Sequence, residues 1–249
     1  MSAVLAVVRR EFAAALDAPS AWVAAAAFAL ALQSLFYFAG YPVGDLRFPG
    51  LWAGGVASLE VLFAWLPPLY AVLAPAFTMG AWADERRSGT EELLLAWPLS
   101  ARDAVLGKFL AAWALLVLVT LVAVLPVAVV VARLGPLDLG VVAGGAIGAV
   151  LLAGASVAIG LVVSACTREQ LVAFLLAALV LAGLWSATLF LRVVPPWAAE
   201  WVHLVSPQAR YLESAAHGVL GLADVVHHVS LAGLALLVNW RLVEGRRRG

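Results

Sequence analysis

The chain has 249 residues and a single cysteine, Cys166. A lone thiol makes no internal disulfide and offers no metal-ligand spacing, which excludes a disulfide scaffold and a cysteine-based zinc module. Cys166 reads as a small buried or interfacial residue. Charge is also scarce: Asp, Glu, Lys and Arg make up 12% of the chain, against roughly 25% in a soluble domain. Fifteen basic residues balance fifteen acidic ones, so bulk charge gives no attraction for nucleic acid. There is no Gly-x-x-x-x-Gly-Lys-[Ser/Thr]; Gly107-Lys108 lacks the upstream glycine and the hydroxyl residue. ATP binding in the P-loop manner is excluded, and an energy source has to come from a partner. Neither a His-Glu-x-x-His nor a Ser–His or Asp–Asp arrangement of the kind an intramembrane protease uses is present. Asp, Glu and Lys are missing from the middle of the long apolar runs, where ion-coupled carriers usually need one. The expectation is a chain without catalytic residues, metal or cofactor of its own.

What fills the sequence is apolar: 65% hydrophobic residues and a mean hydropathy of +1.03. A bilayer-crossing helix needs about 20 mostly apolar residues. Six stretches qualify: 21–39, 60–83, 106–132, 140–165, 170–192 and 222–243. Their composition is too continuous for barrel strands, which alternate, so an all-α integral membrane protein with six transmembrane helices is expected, as a single domain over residues 1–249. With both termini in the cytoplasm, eleven of the fifteen Lys and Arg fall inside; only Arg47, Arg133, Arg192 and Arg210 fall outside. Positive residues favour the cytoplasmic side, which supports an N-in, C-in multi-pass protein of the plasma (inner) membrane. Trp22, Trp52, Trp82, Trp97, Trp197, Trp201 and Trp240 stand near span ends or in loops, as an aromatic belt would place them.

Several segments depart from plain spans. Arg9 and Arg10 follow an apolar octet instead of preceding one, unlike a cleavable signal. Over residues 3–17, Arg9, Arg10 and Asp17 gather on one side of a helical wheel with Glu11 beside them, which suits an elbow helix lying in the cytoplasmic interface. Asp17-Ala18-Pro19-Ser20 breaks it, and Ser20 is a candidate cap for the first span. Pro67, Pro68 and Pro75 sit inside the second span, where each removes a backbone donor; a jointed helix and an ordinary proline-tolerant membrane helix both fit. Gly140, Gly144 and Gly148 recur every four residues, with Gly154 and Gly160 beyond, a spacing that lets helices approach closely, although glycine is common throughout. Residues 193–221 read as short outer helices between spans five and six. Pro196 starts one, Ser206-Pro207 stops it, 208–217 form another, and the whole lies on the outer surface. His217, His227 and His228 with Asp224 offer metal-ligand chemistry, but Asp224 as a cap of span six and histidines at the outer interface is the simpler reading.

The most charged stretch is "DERRSGTEELLLAWPLS", residues 84–100. Asp84 to Arg87 are expected to be wet. Ser88-Gly89 is a helix stop, with Gly89 suited to a left-handed terminus. Thr90 can cap a new helix whose first turn holds Glu91 and Glu92. Leu93, Leu94 and Leu95 follow, and Trp97-Pro98 ends it. Ser100 with Asp103 forms a capping box for the helix entering span three. A short, rigid cytoplasmic helix with an apolar face results, fit either to lie on the membrane surface or to dock on a partner.

Residues 77–111, "FTMGAWADERRSGTEELLLAWPLSARDAVLGKFLA", resemble the corresponding stretch of permease subunits of type-2 ABC transporters, with the gliding-motility-type branch closest. The pattern is carried by Thr78, Met79, Glu85, Arg86, Gly89, Thr90, Glu92, Leu93, Leu94, Leu95, Pro98, Leu106, Gly107 and Lys108. Asp84 stands where the family often has Glu. "SACTREQLVAF" and "LVSPQARYLESAAHGVLGLADVV" extend the likeness, which covers most of the chain from about residue 60 and includes the "RREF" opening. The resemblance implies a coupling helix between spans two and three that sits in a groove of a separate ATPase subunit, which carries ATP and Mg. Glu85, Arg86, Arg87, Gly89, Thr90, Glu91, Glu92, Leu93, Leu94 and Pro98 would form the contact. It further implies a second permease, identical or related, a pathway near spans two and five and, for the gliding-motility-type branch, an exported auxiliary protein. An ATP-independent channel or facilitator and a membrane assembly scaffold are the alternatives.

Overall fold

Lipid supplies no partner for a backbone N–H or C=O, so a chain this apolar has to satisfy its backbone internally. The computed structural model describes residues 3–40, 57–89, 100–191 and 195–247, and every regular element among them is helical. In chain order these are α1 (Ala3–Asp17), α2 (Pro19–Ser34, continued by a π turn, Leu35–Ala39), α3 (Glu60–Ala64), α4 (Leu66–Thr78), α5 (Gly80–Ser88), α6 (Ala101–Leu134), α7 (Leu139–Cys166), α8 (Gln170–Leu189), α9 (Pro196–Val205), α10 (Pro207–Glu213), a 3₁₀ turn (Ala215–His217) and α11 (Leu222–Arg247). Five helices are long and apolar enough to cross a membrane: Pro19–Ala39, Ala101–Leu134, Leu139–Cys166, Gln170–Leu189 and Leu222–Arg246. The chain is a multi-pass membrane protein.

The hub is α7. In its most apolar window 61% of residues are buried, against 17–33% in the other four long helices. It packs against α3, α4, α5, α6, α8, α10, α11 and the 3₁₀ turn. Glycine makes this closeness possible on one face. A Cβ at Gly144 would lie 2.7 Å from the backbone of Gly218, and one at Gly148 would lie 2.3 Å from the Ala215 Cβ. The four-residue glycine spacing is therefore a packing surface at these two positions. Gly140, by contrast, belongs to the first turn, where the Asp138 carboxylate accepts from its N–H.

What packs there is the segment expected to lie on the outer surface. Only α9 fits that expectation, with Trp197 and Trp201 exposed. The boundaries at Pro196 and Ser206-Pro207 are as expected, but the helix expected over 208–217 ends at Glu213 and a separate 3₁₀ turn follows. The second half turns inward, however, and buries Gln208, Ala209, Tyr211, Ala215 and Ala216. The reason is composition: Tyr211, Ala215 and Gly218 are aromatic or small and fit against the α7 glycines. Asp224 accepts from the Gly221 N–H at 2.9 Å and from Arg210 Nε at 2.6 Å, so it does cap α11. His228 is buried between the carbonyls of Asp224 and Pro207. No group of three or more candidate metal ligands forms among the described residues.

The expected second span, 60–83, is not one helix. It is α3, α4 and α5, interrupted at Trp65 and Met79 and extended to Ser88. The first interruption follows from Pro67 and Pro68, which have no N–H to offer the carbonyls of Phe63 and Ala64. The Tyr211 hydroxyl, inserted by α10, donates to the Phe63 carbonyl at 3.2 Å. The second interruption has a different cause. The Ser164 hydroxyl of α7 donates to the Met79 carbonyl at 2.9 Å and accepts from the N–H groups of Trp82 and Ala83 at 3.1 and 3.3 Å. It stands inside the bond that Ala83 N–H and the Met79 carbonyl would otherwise make, the kind of side-chain insertion that jogs a helix.

At the N-terminus α1 and α2 are separate helices, as expected, but Ser20 is not the cap. Ala18 holds the N-cap position without a side-chain bond, and Pro19 occupies the first turn. Proline suits that place because its missing N–H would be unsatisfied there in any residue. The capping box of Ser100 and Asp103 is present at the start of α6.

Candidate functional site

The charged residues at the foot of α5 were expected in water. Three of the four instead reach other helices. Asp84 Oδ2 accepts from Gln170 Nε2 at the start of α8. Glu85 Oε1 accepts from Lys108 Nζ of α6 at 2.8 Å and from Arg10 Nη2 of α1 at 3.2 Å. Arg86 Nη1 donates to the carbonyls of Ala165 and Thr167 at 3.1 and 2.9 Å. These carbonyls close α7, and a cation is favoured at a helix C-terminus. Arg246 of α11 donates to the same Ala165 carbonyl. Arg87 alone of the four points outward, 3.8 Å from Asp84.

Lys108 is the centre of this arrangement. Its side chain is 2% exposed and contacts Glu85 Oε1 and, at 3.1 Å, Glu11 Oε1. Its Nζ lies 5.0 Å from the centre of the Trp82 ring, within cation–π reach. A buried ammonium is tolerated only when paired, and here two carboxylates do so. Burial would push the Glu11 carboxyl up, but the charge of Lys108 and the bonds from Arg10 outweigh it and hold that carboxyl below its usual 4.5. Gly107 lets α1 come this close: a Cβ there would sit 2.5 Å from Val7. Trp82, expected in an aromatic belt, is fully buried beside the cluster, whereas Trp22 is exposed as that reading requires.

α5 ends at Gly89, whose φ of 71° is the left-handed terminus expected of it. The chain then enters residues 90–99. The coupling residues Thr90, Glu91, Glu92, Leu93, Leu94 and Pro98 lie outside the described residues, as do Trp52 and Trp97. Of the four described members of the named contact set, Glu85 and Arg86 face inward as stitches, and Arg87 and Gly89 are exposed. Cys166, expected buried or interfacial, is exposed at the end of α7.

Sequence reasoning missed Arg10, Glu11, Lys108, Ser164 and Gln170 as members of this site. One signal was available: Lys108 is the only lysine among fifteen basic residues and falls two turns into a long apolar helix. A cavity of about 860 Å³ opens beside the cluster, between α1 and α2 on one side and α4, α5 and α6 on the other.

Residues 5–216 match the family described as ABC-2 family transporter protein. No curated protein matches the chain.

Proposed function

The chain belongs to the ABC-2 family of transporter proteins, and we propose that it is the membrane-spanning permease subunit of an ABC transporter, with no catalytic chemistry of its own. A separate ATPase subunit, carrying ATP and Mg, would drive it, and a second permease, identical or related, would complete the pathway. We read six crossings of the inner membrane with both termini in the cytoplasm. Five are the long helices, and the broken segment 60–88 is the sixth. Its 29 residues reach about 43 Å at about 1.5 Å each, more than a hydrocarbon core of about 30 Å. Within the family we propose the gliding-motility-type branch, on the 77–111 stretch; a neighbouring gene for an exported auxiliary protein would support that choice.

The observation that carries the coupling role is the foot of α5. Residues 90–99, the proposed coupling helix, leave directly from Gly89. The three residues Asp84, Glu85 and Arg86 tie that point to α8, to α6 and α1, and to α7. A push on 90–99 thus reaches four helices within one turn of α5, and the jog at Met79 gives the helix above a place to bend. A loop anchored to one helix would transmit far less.

The test is charge reversal at Glu91 and Glu92, followed by copurification with the ATPase subunit and measurement of its stimulated hydrolysis. Glu85 is unsuitable because it also holds Lys108. An interface charge reversal juxtaposes like charges and weakens association by several kcal/mol, so partner and stimulation should both be lost while insertion stays normal. Wild-type copurification by the double Lys variant refutes the contact. Flux through the purified chain alone, without ATPase or ATP, would favour a channel instead.

A further inference from the structure

The 860 Å³ cavity beside the ion cluster is graded from end to end. At the foot it meets Arg10, Glu11, Asp84, Glu85 and Lys108; deeper in, its walls are mostly alanine, with Val23, Phe77 and Leu115 among them. Along α2 the lining runs from Ala18 to Ala27, a depth of about 14 Å at 1.5 Å per residue. One leaflet's share of a hydrocarbon core is about 15 Å. The polar end is at Asp84 and Glu85, about one helical turn before α5 ends at Gly89. A slot with a charged mouth at the headgroup level and an apolar floor near the midplane has the polarity and depth of one leaflet lipid.

Charge selects the head. Three carboxylates and two cations line the mouth, and Arg87 stands 3.8 Å from Asp84 beside it. Glu11 and Glu85 already hold Lys108. Asp84 is a partly exposed carboxylate that holds the Gln170 amide through Oδ2 and has Oδ1 3.8 Å from Arg87, and Arg10 is a half-exposed cation that already bonds Glu11 and Glu85. An ammonium beside Asp84 and a phosphate beside Arg10 would complement both. We propose that this groove binds a zwitterionic phospholipid with a primary-ammonium head, drawn from the leaflet at whose surface Gly89 lies. A phosphatidylcholine head has no N–H to donate to Asp84, and a phosphatidylglycerol head brings no cation. The binding does not depend on the ATPase subunit, so it stands or falls separately from the permease reading.

The test is native mass spectrometry of the purified full chain titrated with phosphatidylethanolamine, phosphatidylcholine or phosphatidylglycerol of identical acyl chains. Phosphatidylethanolamine should be retained about tenfold better than either competitor, the order set by one charge-assisted hydrogen bond. Ala27→Trp, at an exposed position of the groove wall, should abolish retention. Ala26→Trp, exposed but outside the groove, should not. Asp84→Asn should erase the preference over phosphatidylcholine, with a wild-type thermal midpoint showing that it is folded. Equal retention of the three lipids, or equal behaviour of the two Trp variants, overturns the proposal and leaves only unspecific surrounding lipid.

Discussion

Replacing Lys108 by Met tests whether the ion cluster holds α1, α5 and α6 together. At an effective dielectric constant of about 20, contacts of 2.8 and 3.1 Å to Glu85 and Glu11 are each worth about 5–6 kcal/mol of bare Coulomb attraction. Dehydration of the ammonium offsets most of that. Removing one member of a buried pair still costs about 3–5 kcal/mol, because the partner is left uncompensated. Two features reduce the figure here. Glu85 and Glu11 are 16% and 24% exposed and can regain water, and Arg10 remains 3.2 Å from Glu85. The expected loss is about 2–3 kcal/mol, or a thermal midpoint lower by roughly 4–12 °C for a chain of this size. The assay is thermal unfolding in detergent, with Lys108→Arg as a control that keeps the charge.

The acid side supplies a second readout. The Glu11 carboxyl is held below its usual value in the folded chain. A depressed carboxyl contributes stability that is full above the unfolded value near 4.5 and is lost as pH falls through the folded value. With Lys108 gone, burial is opposed only by Arg10, the depression shrinks, and so does the loss of stability on acidification. A Lys108→Met variant within about 0.5 kcal/mol of wild type, the range of an ordinary surface change, with an unchanged acid slope, refutes the reasoning.

Ser164→Ala should lose about 1 kcal/mol and let Ala83 N–H bond the Met79 carbonyl directly, straightening the α4–α5 jog; spin labels at Val72 and Arg87 should then move apart, and an unchanged distance would separate the jog from the hydroxyl. Gly148→Leu should prevent the α10 segment from seating against α7, seen as loss of folded yield, whereas Gly183→Leu, which meets nothing within 4 Å, should be neutral. Equal yields of the two would remove the glycine face from the packing argument.

Legibility in the sequence follows the range of the interaction. The five long helices, the elbow break before Pro19, the Ser100–Asp103 box, the left-handed Gly89 and the helix starts at Pro196 and Pro207 all depend on a few adjacent residues, and each could be read from them. Trp65 and Met79 could not be identified as breaks in the same way. Prolines 67 and 68 signalled that a joint was possible, but the groups that stabilise the joints, Tyr211 and Ser164, stand 148 and roughly 80 residues away in sequence. The same limit misassigned Asp84, Glu85 and Arg86. A charged run beside a helix stop is usually solvated, and nothing local distinguishes a solvated run from one whose partners are Gln170, Lys108 and the end of α7. The unusual features were on the partner side: a sole lysine inside an apolar helix, a serine near the end of another, an Arg-Glu pair in a short apolar helix. In a membrane protein such isolated polar residues are expensive unless satisfied. Pairing each with a complementary group elsewhere in the chain, before assigning any charged loop to water, would have joined Lys108 to Glu85 and so located the foot of the broken helix.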